Sequence, residues 1–273
     1  MENNNKEMQF DGTASKAKVY AVANQKGGVG KTTTALTLGE ALTRLSKKVL
    51  VIDLDPHANA SVHMSYFPET VTTSAHDLFF DDADFKSLWG EIVKKREWVG
   101  FDFVPASIRL SELEVDLKDR KNKGMVLSNS LDEIKEYYDY ILIDCPPHVG
   151  VLLVNAIVAA DTVLIPIQTD FLALYGIRLL FDTIKILNKV LPSPVKFMAL
   201  PTMYDGRAGA CRKILNLIRR KLGDKVFSTV IHMDTKFREA CASGKVIFGI
   251  DPKTRGAQEY MQLAREIIRN EDA

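Results

Sequence analysis

The sequence predicts an α/β fold, with a mostly parallel, doubly wound sheet between two layers of helices. Short apolar runs recur along the chain and alternate with stretches whose apolar residues follow the helical period. Several of these runs are apolar at consecutive positions, which is typical of strands buried on both faces. Regular alternation of such strands with helices favours a parallel sheet covered on both sides.

Seven apolar runs are interpreted as strands, at 19–23, 49–53, 101–105, 140–144, 162–166, 196–200 and 226–231. Helical periodicity predicts helices near 32–46, 108–117, 125–137, 150–160, 173–190, 208–222, 235–243 and 256–269. No repeat or linker divides these elements. We therefore expect one domain over 18–273, after a polar, aperiodic and flexible tail at 1–17.

Composition excludes several classes of protein. A hydrophobic content of 46% and a charged content of 26% in 273 residues are ordinary for a globular chain, and the net charge of +1 names no partner. Three cysteines without CxxC spacing are too few for a disulfide framework, so we expect a cytoplasmic protein. The N-terminus resembles no signal peptide, and no apolar run is long enough for a membrane span. The five histidines lack metal-ligand spacing and are interpreted mostly as surface or loop residues.

A glycine-rich segment follows the first strand and runs directly into a helix. It reads Asn24-Gln25-Lys26-Gly27-Gly28-Val29-Gly30-Lys31-Thr32-Thr33. Glycines let successive N–H groups turn toward one anion, and the dipole of the following helix adds to the attraction. Lys31 is expected to reach the β- and γ-phosphates of ATP, and the Thr32 hydroxyl to ligate Mg²⁺. The segment has Gln25 where the plain P-loop pattern has glycine, and an additional lysine, Lys26. The segment therefore predicts a P-loop NTPase that uses ATP and Mg²⁺.

Two further predicted strands end in aspartates. Asp53 and Asp55 close one of them, and Asp144 closes the other. Parallel strands bring their carboxyl ends to the edge of the sheet where the phosphate loop lies. Asp144 is therefore expected to bind Mg²⁺ directly or through water. Asp53 and Asp55 can both lie near the γ-phosphate, where one of them could orient the attacking water.

With these motifs the chain resembles the ParA/MinD family of deviant Walker ATPases over roughly residues 18–270. Residues 26–33 are similar to the deviant Walker A box, 53–56 to switch I, and 141–147 to Walker B with switch II. The resemblance implies a homodimer that sandwiches ATP, in which a signature lysine crosses to the partner's nucleotide. It assigns catalysis to Lys26, Lys31 and Asp55, and Mg²⁺ binding to Thr32, Asp53 and Asp144. The nucleotide contacts then include Lys26, Gly27, Gly28, Val29, Gly30, Lys31, Thr32 and Thr33.

The second half of the chain is similar to the Soj-like ParA branch. Residues 201–207 resemble the segment that follows the sixth strand in partitioning ParA proteins. Residues 230–240 resemble the segment that borders the adenine in the same proteins. On this analogy His232 and Asp234 line the base pocket. The chain departs from the family at His57, where glutamine is usual, and at Met233, where many chromosomal relatives have an arginine that helps some of them bind DNA.

The charge is unevenly distributed. Residues 203–255 hold 12 basic and 5 acidic side chains, a net charge of +7, whereas residues 1–202 carry −4. Such a basic surface can bind phosphate backbone without reading bases, or it can be a solvated helix face. The family resemblance adds weight to DNA binding. The candidate DNA-binding residues are Arg212, Arg219, Arg220, Lys236, Arg238 and Lys245.

The expected function is an ATPase that dimerises on ATP, holds DNA non-specifically and hydrolyses ATP to segregate or position DNA or a protein cargo. A ParB-like or other partner is expected to stimulate hydrolysis, and the nucleoid is the expected location. A MinD-type membrane ATPase is the main alternative, although the acidic C-terminus lacks the basic amphipathic helix of that type. An iron–sulfur carrier and a metabolic ATP-dependent synthetase or kinase are further alternatives.

Overall fold

The computed structural model describes residues 16–80, 85–171 and 173–272. Within these residues one sheet of six strands runs in the order β3-β2-β4-β1-β5-β6, and every neighbouring pair is parallel. The strands are β1 (Lys18–Val22), β2 (Val49–Asp53), β3 (Asp102–Val104), β4 (Tyr140–Asp144), β5 (Thr162–Gln168) and β6 (Lys196–Thr202). The predicted parallel sheet is confirmed.

Helices connect the strands. They are α1 (Lys31–Thr43), α2 (Asn59–His63), α3 (Phe85–Ile92), α4 (Leu113–Asp116), α5 (Val126–Asp132), α6 (Val151–Ala159), α7 (Ala173–Leu187), α8 (Gly209–Leu222), α9 (Lys236–Ala242) and α10 (Arg255–Glu271). Short 3₁₀ turns lie at Ala75–Phe79, Ile108–Ser111, Lys135–Tyr137, Gly223–Lys225 and Ile247–Gly249.

Two apolar layers sandwich the sheet, because successive strand residues point to opposite faces. On β1, Val19 and Ala21 belong to the layer that contains side chains of α6, α7 and α8. Tyr20 and Val22 belong to the other layer, which contains side chains of α1 and α10. This is the predicted three-layer α/β/α arrangement.

The predicted seventh strand at 226–231 is wrong. The segment runs beside β6, with Phe227 N–H bonded to the Ala199 carbonyl, but it forms only an isolated bridge at Val226. The carboxylate of Glu266 on α10 accepts the backbone N–H groups of Ser228 at 2.6 Å and Thr229 at 3.0 Å. The Glu266 side chain therefore accepts backbone N–H groups that would otherwise be available for pairing between strands.

Other differences concern the middle of the chain. The helix predicted at 108–117 is divided into a 3₁₀ turn and the short α4, and α3 was not predicted. Residues 1–15 of the predicted tail lie outside the described residues, but Ala17 is buried and its N–H donates to the Lys135 carbonyl at 2.9 Å. No helix among the described residues is long and apolar enough to cross a membrane. A single domain over 18–273 stays a prediction.

Candidate functional site

The phosphate loop joins the end of β1 to the start of α1. Gly28 and Gly30 have φ angles of +73° and +94°, a left-handed backbone that glycine adopts without strain. Gly30 is the N-cap of α1 and has no side chain to satisfy the first helical N–H groups. These donors and the positive end of the helix dipole therefore remain available to an anion at the loop.

Lys31 and Thr32 begin α1 at the centre of this site. Lys31 is 8% exposed, and its Nζ lies 3.4 Å from the Lys26 carbonyl oxygen, within the curve of the loop. The Thr32 hydroxyl donates to Oδ2 of Asp144 at 2.7 Å. The loop and the end of β4 are thus brought together as the sequence predicted.

The residues around Asp144 fit a divalent cation. Asp144 is 1% exposed, and its Oδ1 has no hydrogen-bond partner among the described residues. It pairs in register with Asp53 on β2. Burial raises the pKa of Asp144 well above its usual range, and the neighbouring Asp53 charge raises it further. Two buried carboxylates and a hydroxyl form an oxygen-rich site where Mg²⁺ would offset the repulsion.

Asp53 holds the loop that follows β2. Its Oδ2 accepts the backbone N–H of Ser61 at 2.8 Å and the Ser61 hydroxyl at 2.7 Å, and its Oδ1 accepts the N–H of Asp55 at 3.1 Å. Burial raises the pKa of Asp53 to about 7, although these hydrogen bonds oppose the rise. Both carboxylate oxygens of Asp53 already accept hydrogen bonds from this loop. Oδ1 of Asp144, which accepts none among the described residues, is therefore more available to a metal ion. A metal role for Asp53 stays a prediction.

Asp55 is buried beside an exposed histidine. Its Oδ1 accepts the backbone N–H of His57 at 3.0 Å and lies 2.9 Å from His57 Nδ1. The Asp55 side chain is 8% exposed and that of His57 is 68% exposed. His57, a departure from the family pattern, therefore fixes the carboxylate that the resemblance assigns to water activation.

Lys26 lies against its own chain. Its Nζ is 2.6 Å from Oδ2 of Asp170 and 3.1 Å from Oε1 of Gln168. Asn24 supports the start of the loop, because its amide donates to the Pro166 carbonyl at 2.7 Å and its Oδ1 accepts the Lys26 N–H. The end of β5 thus holds the lysine that is expected to act on a partner's nucleotide.

A cavity of about 600 Å³ opens beside the phosphate loop. Gly30 and Thr33 form one wall, and His232 and Asp234 belong to the residues that line the rest. The structure therefore brings together the loop and the two residues expected at the base. Their contact with adenine stays a prediction.

Hydrogen bonds fix the outer wall of this cavity. The backbone N–H of His232 donates to Oε2 of Glu259 at 2.8 Å, and the His232 ring meets the Tyr204 ring edge-on at 5.0 Å. Asp234 accepts the N–H groups of Lys236 at 2.9 Å and Gly256 at 3.1 Å. The Asp234 carboxylate thus ties the starts of α9 and α10 together.

The candidate DNA-binding residues lie on two helices and a turn. On α8 the apolar Ile214, Leu215 and Ile218 are buried, and the predicted basic residues are exposed. These basic residues are Arg212, Arg219 and Arg220. Lys236 on α9 pairs with Glu239, and Arg238 also lines the cavity beside the loop. Lys245 is exposed in the turn after α9.

Sequence reasoning missed several residues that build the site. Asp170 and Gln168 follow or end a strand, so the rule applied to Asp53 and Asp144 would have selected them too. Ser61 and Glu259 had no comparable signal, because each lies on a helix and reaches the site only through folding.

Comparisons with known proteins agree with this geometry. A family model described as an AAA domain matches residues 17–197. Sporulation initiation inhibitor protein Soj of Bacillus subtilis (strain 168) is 37% identical over 254 residues, covering 93% of this chain and 99% of Soj. Chromosome partitioning protein ParA of Caulobacter vibrioides (strain NA1000 / CB15N) is 37% identical over 262 residues, covering 95% and 97%. The crystal structure of cobyrinic acid a,c-diamide synthase from Mycobacterium smegmatis with bound ADP and magnesium matches with a TM-score of 0.81 at 29% identity, covering 94% and 96%.

The six-stranded parallel sheet and the glycine loop facing Asp144 define a P-loop ATPase of the three-layer α/β/α class. The identity with Soj and ParA extends over nearly the whole of each protein. The chain belongs to the ParA/Soj family of chromosome-partitioning ATPases.

Proposed function

We propose that this chain binds ATP with Mg²⁺, dimerises around the nucleotide, holds DNA without sequence preference, and releases it after hydrolysis. The observation that carries the proposal is the meeting of Lys31, Thr32, Asp144 and Asp55 at one edge of the sheet, with Lys26 beside them. Its cargo would be DNA or a protein complex. Its place would be the cytoplasm, at the nucleoid.

Nucleotide binding would depend on the phosphate loop. The N–H groups of the loop and Lys31 would hold the phosphates, and Thr32 and Asp144 would hold Mg²⁺, which neutralises charge on the β- and γ-phosphates. The base would occupy the cavity bounded by Gly30 and His232.

The nucleotide-binding proposal is tested with Lys31→Ala. Removing the Lys31 charge, which lies within the curve of the loop, should weaken ATP binding by several kcal/mol, on the order of hydrogen bonds between charged partners. Titration calorimetry with ATP and Mg²⁺ measures the change. Lys48→Ala removes an exposed lysine elsewhere and serves as the control. Equal affinity in the two variants would remove the phosphate-loop assignment.

Hydrolysis would use Asp55 to orient water toward the γ-phosphate. Its Oδ1 is already held by His57, which leaves Oδ2 to accept a hydrogen bond from water. A fixed acceptor lowers the cost of arranging the attacking water in the transition state. A ParB-like or other protein partner would then accelerate the reaction.

DNA binding would require the dimer. One subunit offers few phosphate contacts, each screened within about 8 Å at physiological salt. Two subunits on one duplex double the contacts and raise affinity through effective concentration. The exposed basic face of α8, with Lys236, Arg238 and Lys245, supplies these contacts in the proposal.

Mobility shifts with unrelated duplexes test the DNA proposal, with and without ATP and across a salt series. We expect binding only with ATP and a steep loss with salt, because neutralised phosphates release counterions. Arg219→Ala with Arg220→Ala should weaken binding to every duplex. The control, Lys118→Ala with Lys121→Ala, removes the same charge from exposed positions in the acidic part of the chain. No shift with ATP at low salt, with capture on anionic liposomes instead, would favour the MinD-type alternative.

A metabolic ligase is the second candidate, favoured by the 29% identity to the Mycobacterium smegmatis synthase. The 37% identity to Soj over nearly its full length favours partitioning. ATP turnover that rises with cobyrinic acid and not with DNA would reverse this order.

A further inference from the structure

A histidine and two carboxylates meet outside the nucleotide site. His76 lies in the turn Ala75–Phe79, Glu112 is the residue just before α4, and Asp116 is the last residue of α4. One ligand atom from each residue lies within 4.8 Å of the others. We propose that these residues form a binding site for a divalent transition-metal ion of the Zn²⁺ class.

The state of His76 points to a ligand. The residue is 1% exposed, yet neither ring nitrogen has a hydrogen-bond partner among the described residues. Buried polar atoms in folded proteins nearly always have partners, so an unpartnered buried imidazole beside carboxylates requires an explanation. A metal ion bound between the ring and the two carboxylates would provide that explanation.

The turn that carries His76 is fixed before any ion binds. Ser74 N–H donates to Oδ2 of Asp77 at 2.8 Å, and Ala75 N–H donates to the Pro105 carbonyl at 2.8 Å. The ring of His76 packs against Phe80 with 4.9 Å between the ring centroids. A ligand held this way loses little conformational freedom on binding.

The carboxylates complete a ligand set suited to zinc. Glu112 and Asp116 are four residues apart, so they share one face of the helical turn. Both are exposed, which leaves the site open to an ion from solvent. Asp77 lies nearby, with Oδ1 3.6 Å from His76 Nδ1, and Arg109 offsets part of its charge. One imidazole with two carboxylates suits Zn²⁺ better than Mg²⁺ or Ca²⁺, which prefer oxygen alone.

The proposed site connects to the nucleotide site through α4. Glu114, between the two carboxylates, accepts the N–H of Val151 at the start of α6. Helix α6 follows the segment 145–150, which leaves the strand that ends in Asp144. An ion bound to Glu112 and Asp116 would therefore fix α4. Through Glu114, α4 is hydrogen-bonded to Val151, the residue that follows the segment 145–150.

Calorimetry with Zn²⁺ on the full chain, with Mg²⁺ and without nucleotide, tests the proposal. The wild type should take up one equivalent. Glu112→Gln with Asp116→Asn should lose at least about 10-fold in affinity, since even indirect ligand contacts contribute that much. Both side chains are exposed, so the variant should fold. The control, Glu133→Gln with Glu136→Gln, removes equal charge from exposed positions and should bind like wild type.

Co²⁺ absorption separates this site from the thiols of Cys211 and Cys241. The bound ion should show ligand-field bands without thiolate charge transfer, and His76→Ala should remove them. The proposal is overturned if the wild type takes up no equivalent of Zn²⁺. It is also overturned if the Glu112→Gln, Asp116→Asn variant binds Zn²⁺ as tightly as the control variant. A thiolate band from the bound ion would also overturn it.

Discussion

Replacing Asp170 with asparagine should strengthen ATP-dependent dimerisation. In the monomer, Asp170 and Gln168 hold Lys26 on its own chain. Under the proposed sandwich, Lys26 must leave them to reach the partner's phosphates. The Lys26 and Asp170 side chains are 25% and 37% exposed, and such partly solvated ion pairs contribute about 0.5–1 kcal/mol. A dimer breaks two of them, so about 1–2 kcal/mol is recovered in the variant. The dimer dissociation constant should fall by about 5- to 30-fold.

Sedimentation equilibrium with Mg²⁺ and a slowly hydrolysed ATP analogue measures this change. Asp182→Asn is the control, because it breaks an exposed ion pair with Lys185 on α7 and should leave the constant unaltered. The gain from Asp170→Asn should shrink as salt is raised, since screening weakens the wild-type pair. If Asp170→Asn dimerised no more tightly than wild type while binding ATP normally, Asp170 would not compete for Lys26 and the reasoning would be refuted.

Three further predictions concern single carboxylates. Asp55→Ala should bind ATP, hydrolyse it very slowly and accumulate as a dimer, as light scattering and phosphate release would show, because the water-orienting group acts in the transition state. Glu271→Ala should lower the free energy of unfolding by about 1–3 kcal/mol, because the buried hydroxyls of Tyr20 and Tyr140 both donate to Glu271. Glu271→Gln should lower it less, and urea denaturation measures both changes. Asp53 has a pKa raised to about 7, so without Mg²⁺ its contribution to stability is lost as pH rises from about 4 to 7. Asp53→Asn should therefore gain stability over wild type across that pH range in thermal melts, and a constant difference would contradict this.

The sequence alone predicted the parallel sheet and the main parts of the candidate nucleotide site. The phosphate loop depends on neighbours in the chain, since a strand, a glycine turn and a helix start follow each other at 18–31. The position of Asp144 followed from one general rule, that parallel strands end at the same edge. Its hydrogen bond with Thr32, across 112 residues, confirms that rule for this chain.

The sequence also determined which segments are apolar, but not how their backbones pair. Residues 226–231 have a strand's composition, yet Glu266 from α10 binds two of their N–H groups. That contact spans 37 and 38 residues and depends on where α10 packs. The strand propensity of residues 226–231 does not predict this contact.

Only the tertiary structure decided the partners of the charged and titratable side chains. Lys26 pairs with Asp170, 144 residues away, and Asp53 accepts a hydrogen bond from Ser61 in the helix after β2. Buried His76 lies close to Glu112 and Asp116. The sequence predicted that most histidines are surface or loop residues, and His76 is the exception that only the structure shows, because it is buried. Hydrophobic periodicity reports which face of an element is covered, whereas hydrogen bonds and ion pairs need atoms placed within a few tenths of an ångström. That placement arises only when all the layers have packed.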